Sequence, residues 1–590
     1  MQFLKNVLAS FIGTFVAMFL VLAVFVIIIM VAVSSGSDDK NVTVKDNSIL
    51  HIVLDQEVVE RGSDNDVNFN PATFQSESKL GLNHFIQDLE KAKSDDKIKG
   101  VFLEVVNFAA SPSTIYDMRK AILDFKASGK WIVAYAENYT QGGYYLASAA
   151  NEVYMYPTGT FDWRGLSTEL MFFKQMFDKL EIEAQVIRGP NNKFKSAVEP
   201  FIYDHMSVEN REQISTFVGD MWRTILDGIS KERGVSVEFL NQAADSLTFR
   251  DVNLVKSNGL LNGLSYRDEV ISLMKTKVGL DAQAKDGFNL IKLADYHTKP
   301  ENEKKDSQVA IVYAIGAIES GEGDDQTIGS DRIAKALRDA RLNEKVKAIV
   351  LRVNSPGGSA LASDVIWRET ELIRQSGKPL VVSMGDYAAS GGYYIACNAN
   401  KIFANPTTLT GSIGVFGVIP NMQKFLNNKI GLTFDTYETN AHSDMMSVTK
   451  PLDAVEMKAM QDVVSDIYDD FTSKVAAGRG KTQAQVDSIG QGRVWSGEDA
   501  LQLGLVDELG GLNQAIASAA SLAGLSDYSL TEYPELKDPF QELVNELMGQ
   551  KQTSMMKEVL GDQYGMYVQL QSVQKMKGPQ ARIPFLLEIK

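Results

Sequence analysis

Two hydrophobic patterns divide this chain. Residues 7–33 form a run of 27 without a formal charge, nearly all apolar. A bilayer core about 30 Å thick needs about 20 helical residues, so the run is expected to cross a membrane once. Lys5 precedes it and Asp38 and Asp39 follow, which by the positive-inside rule puts Met1 in the cytoplasm and the remaining mass outside, in the periplasm of a bacterium. A cleaved signal peptide is the competing reading, since Ala32-Val33-Ser34 offers small residues. The apolar part of a signal peptide runs about 7–15 residues, and the length here favours an uncleaved anchor.

Beyond a polar stem ending near Asp46, short β-branched runs alternate with amphipathic segments. Residues 309–314 and 348–353 predict buried strands around a helix at 331–342; residues 361–375 predict another helix and 379–384 another strand. That order argues for βαβ units in a mostly parallel sheet, with functional loops at the carboxyl ends of the strands.

The pattern occurs twice. Lys97-Ile98-Lys99-Gly100-Val101-Phe102-Leu103 matches Lys345-Val346-Lys347-Ala348-Ile349-Val350-Leu351 at an offset of 248, and Gly142-Gly143-Tyr144-Tyr145-Leu146-Ala147 matches Gly391-Gly392-Tyr393-Tyr394-Ile395-Ala396 at 249. Such self-similarity marks a tandem duplication. The expected organisation is an anchor and stem at 1–46, a first repeat at 47–305, a second at 306–535 and a tail at 536–590.

Composition removes several functions. With 59 Lys+Arg against 75 Asp+Glu the net charge is −16, which argues against a nucleic-acid partner. One cysteine excludes an internal disulfide and cysteine-rich metal sites. No His-Glu-x-x-His helix occurs, and Gly480-Lys481-Thr482 lacks the first glycine of a phosphate loop because position 475 is Val. No metal or cofactor is expected.

The repeats differ where chemistry is expected. Asn354-Ser355-Pro356-Gly357-Gly358-Ser359 follows a strand and precedes a helix, so its glycine pair can turn backbone N–H groups toward an oxyanion; an ordinary tight turn is the alternative. Ser390, in Ala388-Ala389-Ser390-Gly391-Gly392, can present its hydroxyl at such a turn with the next N–H completing an oxyanion hole, or can simply cap a helix. It does not lie in a Gly-x-Ser-x-Gly motif. The matching position of the first repeat is Gln141, and Asn107-Phe108-Ala109-Ala110-Ser111 there lacks the glycine pair. None of the five histidines sits in a convincing motif. A lysine desolvated enough to be neutral can serve as the base instead, and Lys195, among the apolar residues of Lys193-Phe194-Lys195-Ser196-Ala197-Val198-Glu199-Pro200-Phe201, is the best candidate.

Taken with Leu409-Thr410-Gly411-Ser412-Ile413-Gly414, these segments resemble the signal peptide peptidase A (protease IV) family in its long double-repeat bacterial form, over nearly the whole chain, departing mostly in stem and tail. The resemblance implies an α/β fold, a tandem duplication of a Clp protease/crotonase-like domain. It implies a membrane-anchored, tetrameric Ser/Lys endopeptidase that degrades cleaved signal peptides and other apolar peptides. In that pattern Ser390 is the nucleophile, Lys195 the general base and Ser412 the residue that orients the lysine, while the Gly391 amide and the Gly357-Gly358 turn form the oxyanion hole. A crotonase-like acyl-CoA enzyme and a catalytically inactive, membrane-tethered scaffold are the rival expectations.

Overall fold

Alternating β-branched runs and amphipathic helices build two sheets with one strand order. A computed structural model describes residues 10–11, 13–14, 16–20, 44–62, 68–70, 75–77, 79–189, 191–285, 287–297, 305–536 and 579–583. The first sheet runs Gly263–Leu264, Glu152–Met155, Trp131–Ala136, Ile98–Val105, Ser48–Leu54, Asn289–Lys292, with every pair parallel. The second repeats this order as Glu508–Leu509, Lys401–Ala404, Leu380–Ala389, Val346–Ser355, Gln308–Ile315, Ser529–Tyr533. Two more strands extend it beyond Leu380–Ala389: Leu409–Gly411, which is parallel, and Val494–Ser496, which is antiparallel. Shared topology, together with the sequence repeat, shows a tandem α/β duplication.

The central strands are buried on both faces, as parallel strands covered by crossover helices must be. Ile98–Val105 and Val346–Ser355 expose only Lys99 and Lys347, at matching positions near their starts. The helix Ala360–Ser376 packs its apolar stripe on the second sheet and ends at Gly377, whose φ of 80° supplies the left-handed cap.

A third, mixed sheet joins the repeats. Its order is Gly323–Asp324, Thr327–Gly329, Ala317–Glu319, Gly357–Ser359, Gln580–Arg582, Phe416–Asn421, Glu183–Arg188. Glu183–Arg188 comes from the first repeat and pairs antiparallel along the whole of Phe416–Asn421 in the second. Apolar packing crosses the same boundary, where Ile214, Phe217 and Met221 of the helix Val208–Arg233 meet Ala389, Leu409 and Val494.

Among the described residues no helix is long and apolar enough to cross a membrane. Most of the apolar run at 7–33, and most of the tail expected at 536–590, lie outside the described residues.

Candidate active site

The strand Leu380–Ala389 delivers Ser390 to the start of the helix Gly391–Ala396. Ser390 has φ 56° and ψ −111°, a conformation that L-residues avoid, and its side chain makes no capping bond. Such strain persists only where surrounding structure imposes it. Here the Ser390 N–H donates to Gly411 O at 2.8 Å, and Tyr394 N–H donates to Ser390 O at 2.8 Å. Oγ is thereby turned out of the helix-capping position and toward the first repeat.

Lys195 comes to meet it. Its Nζ lies 2.9 Å from Ser390 Oγ, 3.0 Å from Ser412 Oγ and 3.1 Å from Ser412 O. Lys195 is 1 % exposed and Ser390 0 %. Burial alone holds the ammonium well below its ordinary pKa, with no carboxylate among the influences to restore the charge. A neutral amine has two N–H donors and one lone pair, and the surroundings match that inventory. Ser412 Oγ lies 3.2 Å from Gly492 O, to which it can donate, leaving its lone pairs and the Ser412 carbonyl to accept the two N–H bonds. That leaves the lone pair of a neutral Lys195 for the Ser390 hydroxyl, whose Oγ also lies 3.3 Å from Gly414 O, a second acceptor for its proton.

Ser412 holds this position from a second strained turn, at φ 49°, with its N–H donating to Arg493 O at 2.7 Å. The 490–493 loop also braces the lysine: Phe194 N–H donates to Gln491 O at 2.9 Å. A Cβ on Gly492, whose φ is 78°, would come 2.5 Å from Lys195 Cβ. Gln213 finishes the brace. Its Nε2 donates to Ser196 Oγ at 2.9 Å, and its Oε1 accepts from Val494 N–H at 3.1 Å. Gly492 and Gln213 carry no motif and escaped the reading of the sequence. A glycine that permits close backbone approach and a glutamine that links two loops are recognisable only once those loops are adjacent.

The glycine pair of the predicted oxyanion turn lies beside the serine. Gly357 has φ 94°, and a Cβ there would come 2.8 Å from Gly391 N; a Cβ on Gly391 would come 3.2 Å from Gly358 N. The structure therefore brings Ser390, Lys195, Ser412, Gly391, Gly357 and Gly358 together within one chain. Asn354 locks the turn to the nucleophile strand, with Oδ1 accepting from Tyr387 N–H at 3.0 Å and Nδ2 donating to Glu60 Oε1 at 2.8 Å.

Glu60 belongs to a buried charge cluster that clamps the repeats. Arg352 Nε donates to Glu60 Oε2 at 2.9 Å and Nη2 approaches Asp117 Oδ2 at 3.4 Å. Burial pushes the Glu60 and Asp117 carboxyls up against the opposing pull of Arg352. The guanidinium is held above its ordinary value because these carboxylates outweigh its own desolvation.

Among the described residues, His442, Asp453 and Glu456 place three ligand-type atoms within 4.8 Å of one another. Lys450 Nζ already supplies a cation 3.2 Å from Glu456 Oε1.

A family model described as "Peptidase family S49" matches residues 124–281 and 373–526, once in each repeat. The chain is 41% identical over 459 residues to "Protease 4" of Salmonella typhi, covering 76% of this chain and 73% of that one. It is 38% identical to "Protease 4" of Haemophilus influenzae, over 74% of this chain and 72% of the relative. To the "Serine protease SPPA, chloroplastic" of Arabidopsis thaliana it is 34% identical, over 80% and 70% respectively.

Proposed function

Because the chain belongs to peptidase family S49 and is a serine protease, we propose that Ser390 is its nucleophile and Lys195 its general base. The observation that carries this reading is the 2.9 Å approach of a buried lysine, lacking any carboxylate partner, to a serine held at positive φ. Neutral Lys195 takes the Ser390 proton as Oγ attacks the peptide carbonyl. The new lysinium is held by Ser412 O and Oγ, and then returns the proton to the leaving amine. The Gly391 amide and the Gly357-Gly358 turn face the developing oxyanion, where fixed donors in a water-poor site are most effective. Water then releases the acyl-enzyme. The acyl-CoA and inactive-scaffold readings fall with the family assignment.

We further infer the finer features expected from the sequence: kinship of each repeat with the Clp protease/crotonase superfamily, an anchor at residues 7–33, a periplasmic catalytic body, a homotetramer, and cleaved signal peptides or other apolar peptides as substrates. Support for the anchor is the uncharged run itself. Support for apolar substrates is the patch of Ile214, Phe217, Met221, Leu409 and Val494 beside the serine turn.

The test is labelling of the full-length protein by a serine-directed acylating probe, followed by mapping of the modified peptide. Label on Ser390, lost in Ser390→Ala and in Lys195→Ala, is expected. Label elsewhere that leaves Ser390 free while peptide hydrolysis stops would overturn the assignment.

A further inference from the structure

The two repeats part company in the strand that leads to the serine. In the first, Ile98–Val105 and Trp131–Ala136 pair in parallel without a break from Gly100 to Val105. In the second, Val353 faces Met384, but Ser355 faces Ala388. Asn354 alone therefore stands opposite Gly385, Asp386 and Tyr387, and the nucleophile strand bulges there. The sequence offset agrees with this: Ala136 matches Met384 at 248, whereas Gln141 matches Ser390 at 249. The second repeat thus carries one more residue than the first between the end of regular pairing and the nucleophile position. Bulges beside active sites re-aim side chains.

The bulge is gripped by the other repeat. The helix Pro112–Lys126 of the first repeat follows Ser111, which makes no side-chain capping bond. Asp386 supplies the cap instead: Thr114 donates its N–H to Asp386 Oδ1 and its hydroxyl to Oδ2, both at 3.1 Å. A carboxylate at a helix start is favoured by the free N–H groups there and by the helix dipole. This helix follows Asn107-Phe108-Ala109-Ala110-Ser111, the counterpart of the oxyanion turn that lacks the glycine pair. The helix start beside the lost turn of the first repeat thus holds the nucleophile strand of the second.

The grip is stiff. Asn354 Nδ2 donates to Asp386 Oδ2 at 3.2 Å, and Thr408 Oγ1 donates to Gly385 O at 2.7 Å. A Cβ on Gly385 would come 2.5 Å from Glu60 Oε1, so the glycine lets the first repeat close on the strand. Past the bulge, Tyr387, Ala388 and Ala389 pair in step with Leu409, Thr410 and Gly411, and the Ser390 N–H donates to Gly411 O. No slack separates the bulge from the strained serine.

We propose that Asp386 and Thr114 are positioning residues for acyl transfer: through them the first repeat fixes the bulge and so sets the direction of Ser390 Oγ toward Lys195. This rests on the reading of Ser390 and Lys195 given above. The two residues act through the strand and not by contact with the dyad. A bulge released from the helix start lets the serine turn relax from the positive φ that only its surroundings impose.

The test is acylation of Ser390 in the full-length protein by a serine-directed acylating probe, resolved into the number of sites labelled at completion and the maximal rate constant per site. Misplacement of about 1 Å can cost roughly 100-fold in rate, and Asp386→Ala should lower the rate constant per site by at least about tenfold. The probe concentration giving half-maximal rate should not change, nor should the midpoint of the pH dependence, because no carboxylate influences Lys195. Asp386→Asn keeps an oxygen for the Thr114 N–H and should recover most of the loss. Thr114→Val removes one bond without altering charge; a fall of roughly threefold is expected, with no further loss when it is added to Asp386→Ala, since both act through one contact. Fewer labelled sites, each reacting at the wild-type rate, would show a purely structural role and overturn the proposal while leaving the dyad standing. If Asp386→Ala has no melting transition, Thr114→Val decides, and a wild-type rate per site there overturns the proposal. Probe hydrolysis that survives in Ser390→Ala would instead overturn the dyad.

Discussion

The same turn serves opposite ends in the two repeats. In the first, the helix Gln141–Ala147 is capped by Thr140, whose side chain accepts from Gly143 N–H at 3.1 Å and whose φ is −75°. Gln141 is therefore already helical, and its Oε1 accepts from Arg164 and Gly165 N–H, both at 2.7 Å. In the second, the helix starts one position later relative to the glycine pair, and Ser390 stands at positive φ outside it with no capping bond. The first turn is satisfied and relaxed; the second is strained and leaves its hydroxyl to Lys195. The difference teaches that a duplicated scaffold can divide its work, one copy spending this position on stability and supplying the base, the other accepting strain to present a nucleophile.

Several substitutions would break or sharpen that contrast. The largest effects are expected at the dyad. Ser390→Ala should lower kcat/KM for an apolar peptide substrate by at least about 10⁴-fold, and Lys195→Arg should be equally inactive because a guanidinium stays charged. An active arginine variant would point to another base. Next is Gly357→Ala, whose methyl would come 2.8 Å from Gly391 N and 2.2 Å from Ala581 O; a loss of roughly 10²–10³-fold in kcat is expected, as for removal of an oxyanion donor. Ser412→Ala removes one of the two acceptors that hold the lysinium. Hydrogen bonds to charged groups contribute about 1.5–3 kcal/mol, so kcat should fall by roughly tenfold to a hundredfold with KM little changed.

The smallest effect on activity is predicted in the first repeat. Gln141→Ser creates a serine at the matching position, yet restores neither the backbone strain nor the lysine. It should leave peptide hydrolysis within about twofold while costing about 1–3 kcal/mol of stability, through the N–H groups of Arg164 and Gly165 left without their acceptor. Urea unfolding of wild type and variant measures it. Loss of activity without loss of stability would mean that the first turn is part of the active site after all.

Much of this contrast was legible in the chain. The duplicated Gly-Gly-Tyr-Tyr segment fixed the alignment, and the exchange of Gln141 for Ser390 across it drew attention to the turn that matters. Lys195 was legible only as a lysine among apolar neighbours. What distinguishes it, complete burial without a carboxylate partner, is set by loops nearly 300 residues away, through Gln491 and Gly492. The Glu60–Arg352–Asp117 clamp was illegible for a related reason, since each of these residues taken alone resembles a solvated surface charge. The tail strand Gln580–Arg582 is short and its neighbours offer little alternation; only its pairing with the glycine turn gives it meaning. Local patterns report periodicity and turn chemistry, while burial and long-range pairing emerge after folding.

The account depends most on Lys195 being neutral. Its folded-state pKa is depressed, so the site is active above that value and loses its base as pH falls through it. Between the depressed value and the ordinary one near 10.4, the unfolded chain binds more protons than the folded one at this lysine, and stability should also rise with pH there relative to Lys195→Met. The direct measurement is the pH dependence of the rate at which an acylating probe modifies Ser390. The account predicts a rate that rises with pH as a single ionisation, with its midpoint well below the ordinary lysine value, and that is absent in Lys195→Arg. A midpoint near 10.4, or a wild-type profile that Lys195→Arg reproduces, would contradict it.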